Sequence, residues 1–194
     1  ALKGERKKVT IMFTDIREFT PLAESLPPEE VVTILNQYLT SMTSIIFKYE
    51  GTIDKFLGDG LMAIFGAPIS HPDDVLRATK SAVEIQNSLR LENIKREKAN
   101  LRPIYVGIGI NVGEAVVGNI GSRERLDYTV IGDSVNLASR LQEYARGGEV
   151  VVSEMVYQEL TRAGKTLLPF RFSESMPVQV KGKTEAINIY KLIF

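Results

Sequence analysis

The 194-residue chain carries 24 basic and 24 acidic side chains and is 44% hydrophobic, enough apolar residue for one medium-sized domain and no bulk charge that would recruit nucleic acid or a membrane surface. It has no cysteine, which excludes disulfides, thiolate catalysis and cysteine-based zinc sites and suits a cytoplasmic protein. No run of about 18 apolar residues reads as a membrane span; residues 1–8 are basic without a following long apolar stretch and read as a linker from a larger parent protein, in a chain whose 1–194 form a single domain.

In chain order, Val9–Phe13 (VTIMF) is a short apolar run of buried-strand type. Pro27-Pro28 followed by Glu29-Glu30 opens a helix, with prolines in the first turn and acids at the positive end of the dipole. Val32, Leu35, Leu39, Met42, Ile45 and Ile46 recur at helical spacing as far as Tyr49, and Gly51 ends the run. Thr52–Leu57 and Leu61–Phe65 read as strands of a tight hairpin around Gly58-Asp59-Gly60, with Asp59 in a type I′ turn. Pro72-Asp73-Asp74 starts a second long helix to about Lys98, its tail from Asn93 to Asn100 polar and solvated. Pro103–Asn111 is a strand, and Val112-Gly113-Glu114 turns it into Ala115–Val117. Asp133–Ala145 is a helix stopped by Gly147-Gly148. Val150–Val152, a short helix from Ser153, and strands near Phe170, Val178 and Ile189 complete the chain. Strand, helix, hairpin, helix, strand is an α+β order with a ferredoxin-like β-α-β-β-α-β core.

Two aspartates stand out. Asp15 directly follows an apolar strand, where a carboxylate either caps a turn or meets a ligand. Asp59 sits between two glycines, where the backbone lets a ligand come close, or where it merely makes the turn. The β-α-β-β order allows both at one end of the sheet, and two hard oxygen ligands there suit magnesium or manganese sharing substrate phosphates.

The surrounding motifs give a resemblance. Phe13-Thr14-Asp15-Ile16-Arg17-Glu18-Phe19-Thr20, Lys55-Phe56-Leu57-Gly58-Asp59-Gly60 and the stretch Thr129 to Arg140 (TVIGDSVNLASR) resemble, in order, three signatures of the class III adenylyl/guanylyl cyclase catalytic domain. The match runs from about Val9 to Leu192. It implies the class III cyclase fold, the ferredoxin-like core with an added C-terminal α/β subdomain, and an adenylyl cyclase that converts ATP to 3′,5′-cyclic AMP and pyrophosphate. It implies that Asp15 and Asp59, helped by the Ile16 carbonyl, hold two divalent metal ions (Mg2+ or Mn2+) for in-line attack of the ribose 3′-hydroxyl on the α-phosphate. Backbone N–H groups of Phe19, Thr20 and the residues up to Leu22 would cradle phosphates. Asn136, one helical turn from Arg140, would orient the ribose, and Arg140 would stabilise charge on the α-phosphoryl group. Lys181 would reach the triphosphate, with Arg125 a second candidate for that job.

Lys55 and Thr129 match the purine-reading pair. A donor-only lysine fits adenine N1 and not the N1–H of guanine. Many adenylyl cyclases of this type have aspartate where Thr129 stands, and a hydroxyl both donates and accepts, so it tolerates either purine. Threonine there resembles the subgroup that includes bicarbonate-responsive cyclases, which makes bicarbonate a candidate activator. In this family one protomer supplies the two aspartates and the other supplies Lys55, Thr129, Asn136 and Arg140; this chain has both sets, which implies a homodimer. The alternatives are a guanylyl cyclase and a catalytically silent nucleotide-binding dimerisation module. His71, the only histidine, lies outside every motif and is read as non-catalytic. Gly107-Ile108-Gly109-Ile110-Asn111-Val112-Gly113 has the wrong spacing for a dinucleotide loop, and its glycines read as close packing and a hairpin turn.

Overall fold

The computed structural model describes residues 4–162 and 167–194. The first strand, β1 (Glu5–Ile16), is longer than its apolar run: Glu5–Lys8, read from sequence as linker, pair with Ala115–Val117 and neighbours of a later strand, while residues 1–3 lie outside the described part. A short helix α1 (Phe19–Glu24) follows, then α2 (Pro28–Lys48), the hairpin β2 (Thr52–Leu57) and β3 (Gly60–Phe65), and α3 (Asp74–Lys98). The chain continues as β4 (Val106–Gly121), β5 (Leu126–Ile131), α4 (Asp133–Tyr144), β6 (Val150–Ser153), α5 (Glu154–Arg162), β7 (Arg171–Phe172), β8 (Met176–Val178) and β9 (Ile187–Ile193).

The strands form one mixed nine-stranded sheet in the order β2-β3-β1-β4-β6-β9-β7, with β5 on β4 and β8 on β9. The β2-β3-β1-β4 half is antiparallel throughout, the ferredoxin-like arrangement read from the element order. Beyond it, β6 joins β4 in parallel through the α4 crossover, and β9 closes antiparallel on β6. Helices cover both faces, so the central strands are apolar on both sides. Along β1, Met12 and Ile16 join the core under α2 and α3, whereas Val9, Ile11 and Phe13 join the core under α4. No helix among the described residues is long and apolar enough to cross a membrane.

Several local expectations shift. In α2 the buried residues are Tyr38, Met42 and Ile46, and Val32 is exposed, because the helix presents a narrower face than its apolar content suggests. Glu50, not Gly51, takes the left-handed conformation that ends α2, at φ 62°; Gly51 is small because a Cβ would meet Phe65 and Ile46 at 2.6 Å. Asn93 is buried rather than solvated: its amide receives the Ile104 N–H at 2.8 Å and donates to the Ile104 carbonyl at 2.9 Å. Buried Gln86 likewise donates to the Val106 and Glu149 carbonyls, each at 2.9 Å. These amides pin the chain where it enters β4, and so place the Tyr105 carbonyl that receives the Arg17 N–H at 2.8 Å.

The expected turn at Val112-Gly113-Glu114 is absent. β4 runs straight through it, paired with β1 from Val106 to Val117, and the reversal comes after Gly121, before β5, a strand the sequence reading did not separate from its motif. The glycines of β4 serve close packing instead. A Cβ on Gly109 would stand 2.3 Å from the Gln142 nitrogen in α4, and one on Gly113 would stand 2.3 Å from the Ser134 hydroxyl. Asn111, between them, donates to the Ser134 carbonyl at 3.0 Å. Helix α4 therefore lies directly on bare strand backbone.

Candidate active site

Asp15 is the penultimate residue of β1 and pairs with Gly60 on one side and Gly107 on the other. Asp59 occupies the two-residue loop between Leu57 and Gly60. Gly58 there has φ 62° and Asp59 is not in the left-handed region, the sign pattern of a type II′ turn rather than the expected type I′. The Ile16 N–H donates to the Asp59 carbonyl at 3.2 Å, and the Leu61 N–H donates to the Thr14 hydroxyl at 3.2 Å. A Cβ on Gly60 would lie 2.0 Å from the Thr14 carbonyl, so only glycine lets the hairpin tip close on β1. The two carboxylates are thereby held at one end of the sheet, as their positions in sequence suggested.

Their electrostatics are unbalanced. The Asp15 carboxyl is pushed up to about 7, first by burial and then by the hydrogen bond and charge of Asp59 beside it, against the opposing pull of Arg17. Arg17 Nη1 lies 3.2 Å from Asp15 Oδ2, but its fork is shared. Nε and Nη2 donate to the Ala145 carbonyl at 2.9 and 2.7 Å, and Nη2 also meets the Gln142 carbonyl at the end of α4. One divided guanidinium does not neutralise two crowded carboxylates, and a cation between them would relieve the strain that holds the proton. Among the described residues no three His, Cys, Asp or Glu side chains cluster as metal ligands. A pair of carboxylates suits a hard ion such as Mg2+, which keeps waters and completes its shell with phosphate oxygens. The donor set fits the implied metals.

The expected phosphate cradle is narrower than Phe19–Leu22. Those residues open α1, Glu18 before it has φ 55°, and the Phe19 ring packs on the core. Pro21 has no N–H, and the Leu22 N–H donates to the Glu18 carbonyl at 3.4 Å. Phe19 and Thr20 alone keep N–H groups without an intrahelical partner.

Helix α4 starts after Gly132, at φ 151°. Asn136 and Arg140 project from it into a cavity of about 510 Å3 that Asp133, Lys181 and Lys183 also line. The structure thus brings Lys181, from the loop after β8, to the two residues named with it by motif alone. Among the described residues Arg140 has only Glu143 as an ion partner, at 3.7 Å. Arg125 is not brought there: it sits in the exposed β4–β5 loop near Asp127, at 3.9 Å. His71 lies between Glu50 and Asp74, at 3.8 and 3.7 Å, at the start of α3.

Lys55 points from β2, and Thr129 from β5. Between them stands Asp54, which the sequence reading passed over. Its side chain is 1% exposed, its Oδ2 accepts from the Thr129 hydroxyl at 2.8 Å, and the Lys55 ammonium lies 3.7 Å from the same oxygen. Arg17 was also missed. Each had a signal: Arg17 shares a strand face with Asp15 by its two-residue spacing, and Asp54 abuts a lysine already singled out. The three groups, Asp15 with Asp59, Asp54 with Lys55 and Thr129, and Asn136 with Arg140 and Lys181, share no ion pair among the described residues.

Comparison with known proteins gives one answer about the family. The family described as "Adenylate and Guanylate cyclase catalytic domain" matches residues 2–193. Adenylate cyclase 1 of Rhizobium meliloti is 34% identical over 97% of this chain, and the adenylate cyclase of Anabaena cylindrica is 38% identical over 96%. This chain spans 28% and 37% of their respective lengths. The crystal structure of the adenylyl cyclase CyaB from P. aeruginosa superposes with a TM-score of 0.91 at 35% identity, covering 100% of this chain and 97% of that one. The guanylyl cyclase Cya2 superposes at 0.89 with 41% identity, covering 98% and 94%. Relatives with either purine preference surround the chain.

Proposed function

The chain belongs to the adenylate and guanylate cyclase catalytic-domain family, and from that premise we propose that it cyclises ATP to 3′,5′-cyclic AMP and pyrophosphate at sites shared across a homodimer. The observation that carries this reading is the carboxylate pair Asp15 and Asp59, fixed at the end of β1 and short of positive charge.

Asp15 and Asp59, with the Ile16 carbonyl, would hold two Mg2+ or Mn2+ ions, which when bound supply activation of the ribose hydroxyl and neutralisation of the triphosphate. The remaining work belongs to side chains. Phe19 and Thr20 offer N–H groups to phosphate oxygens. Lys181 binds the triphosphate, and Asn136 orients the ribose beside it in the same cavity. Arg140, weakly paired, is free to swing onto the α-phosphoryl group, where its fixed fork meets the charge that builds as the bond to pyrophosphate breaks. Lys55 donates to adenine N1.

Because these groups form separate clusters in one protomer, a second copy completes the site. Exposed apolar side chains on β2 and β5, the strands that the Thr129–Asp54 hydrogen bond joins, support that assembly: Phe56 and Leu57 on β2, and Tyr128 and Ile131 on β5. The experiment is an assay of the purified dimer with ATP or GTP and Mg2+ or Mn2+, reading cyclic product. Cyclic AMP is the expected product; cyclic GTP-derived product would assign a guanylyl cyclase, and neither product would leave a nucleotide-binding dimerisation module. In the parent protein, regulatory domains would act on this domain in the cytoplasm. Bicarbonate as an activator is checked by turnover at fixed pH, where no response would remove it.

A further inference from the structure

We infer that Asp54 is a specificity-determining positioning residue: by accepting the Thr129 hydroxyl's hydrogen bond, it presents the Thr129 oxygen to the purine as an acceptor only. The inference rests on Lys55 and Thr129 reading the purine, and deepens that reading.

A threonine hydroxyl has one proton and two lone pairs. Free, it donates to the O6 of guanine as readily as it accepts from the N6 amine of adenine, so threonine in a purine pocket discriminates poorly. Here the hydroxyl is not free. It donates to Asp54 Oδ2 at 2.8 Å, and that carboxylate is 1% exposed, so water does not compete for it. Lys55 presents its ammonium to the same oxygen at 3.7 Å. With the proton committed inward, only lone pairs face outward. The edge offered to a base is then an ammonium donor from Lys55 beside an oxygen acceptor from Thr129. Adenine has the complementary order, an N1 acceptor beside an N6 amine donor. Guanine has the reverse, an N1–H beside an O6 acceptor, and would set donor against donor and acceptor against acceptor. The buried carboxylate makes a threonine behave toward the base as an aspartate would, without placing a charge in the pocket. Among the described residues Asp54 Oδ1 has no hydrogen-bond partner, so Oδ2 is the oxygen that Thr129 and Lys55 share.

The test measures binding of 3′-deoxy-ATP and 3′-deoxy-GTP, which lack the attacking hydroxyl, to the dimeric protein with Mg2+, by calorimetry. The wild type is expected to prefer the adenine analogue. Asp54→Leu, close in size and unable to accept, should lower that preference about tenfold. Asp54→Asn, whose amide oxygen still accepts the hydroxyl proton beside Lys55, should keep it within about threefold. In Thr129→Val, with no hydroxyl to orient, adding Asp54→Leu should change the preference no further. Equal loss in the Asn and Leu variants, an Asp54 effect undiminished in the valine background, or a wild type with no adenine preference would each overturn the inference. Should Asp54→Leu fail to fold, Thr129→Ser keeping and Thr129→Val losing the preference supports it, and equal behaviour of the two overturns it. Because binding is read without turnover, a wild type that discriminates but makes no cyclic product would sink the cyclase reading and leave this inference standing.

Discussion

Asp15 keeps 38% of its side chain exposed with a guanidinium at 3.2 Å, whereas Asp54 keeps 1% with an ammonium at 3.7 Å. Asp15 faces a second carboxylate and a cation already engaged by α4, so its charge is unmet in the absence of a ligand. Asp54 faces a cation and a hydroxyl donor on the same oxygen, so that oxygen is engaged inside the protein. One aspartate is arranged to want a ligand, and the other to shape a neighbour that touches one. Burial alone does not separate these roles. The sign and freedom of the nearest partners do.

The sharpest break of the comparison is mutation across the two half-sites. Asp15→Ala and Arg140→Ala should each lower kcat at least a hundredfold. Equimolar mixtures of the two should regain activity, since a mixed dimer holds one intact site. Dimers that form without recovering would rule out sharing between protomers.

Next in size is Arg17, which ties the Asp15 end of β1 to the end of α4. Arg17→Met leaves the Ala145 carbonyl without its donor, while the Gln142 carbonyl keeps the Ala145 N–H at 3.1 Å, and should cost about 1–3 kcal/mol in urea unfolding. A cost below about 0.5 kcal/mol would show that the fork adds little.

A smaller effect tests the unmet charge itself. The folded protein holds the Asp15 proton more tightly than the unfolded chain does, because its carboxyl is raised from 3.8 to about 7. Metal-free stability should therefore fall as pH rises between those values, and stay reduced above them. With more than a third of the side chain in solvent, screening reduces the effect to about 1 kcal/mol. Asp15→Asn should raise the metal-free Tm at pH 8 and not at pH 3, while removing the stabilisation that added Mg2+ gives the wild type. A lower Tm at pH 8 would contradict the reading of Asp15 as unmet charge.

The smallest expected effect is at Arg125, whose side chain is 86% exposed. Arg125→Ala should change stability by less than about 0.5 kcal/mol and activity by less than about threefold. A tenfold loss would place Arg125 in the triphosphate site after all.

The apolar run Val9–Phe13, the helix punctuation at Pro27-Pro28 and Pro72, and the hairpin glycines made the ferredoxin-like half legible, because each is a local signal that tertiary contacts reinforce. β4 was misread because a Val-Gly-Glu triplet looks like a turn when no helix is known to lie on its glycine. Asn93 was misread as solvated because its polar type says nothing of the Ile104 backbone it clamps, 11 residues away. Asp15 and Asp59 were legible because motif and topology agree on one end of the sheet. Asp54 was not, because its meaning lies in a hydrogen bond to Thr129, 75 residues on. Sequence spacing carries no trace of that bond.

The bare backbone beneath α4 has a bearing on how such a protein can change over generations. A methyl group is the smallest step that mutation offers at Gly109, and there it already collides with the backbone of α4. The height of Asn136 and Arg140 above the sheet therefore has no neighbouring value to drift into. The pocket around Asp54 and Thr129 has several, since one exchanged side chain reverses a donor and an acceptor without moving the chain. Inheritance of this architecture would hold the reaction fixed and let the preferred base wander.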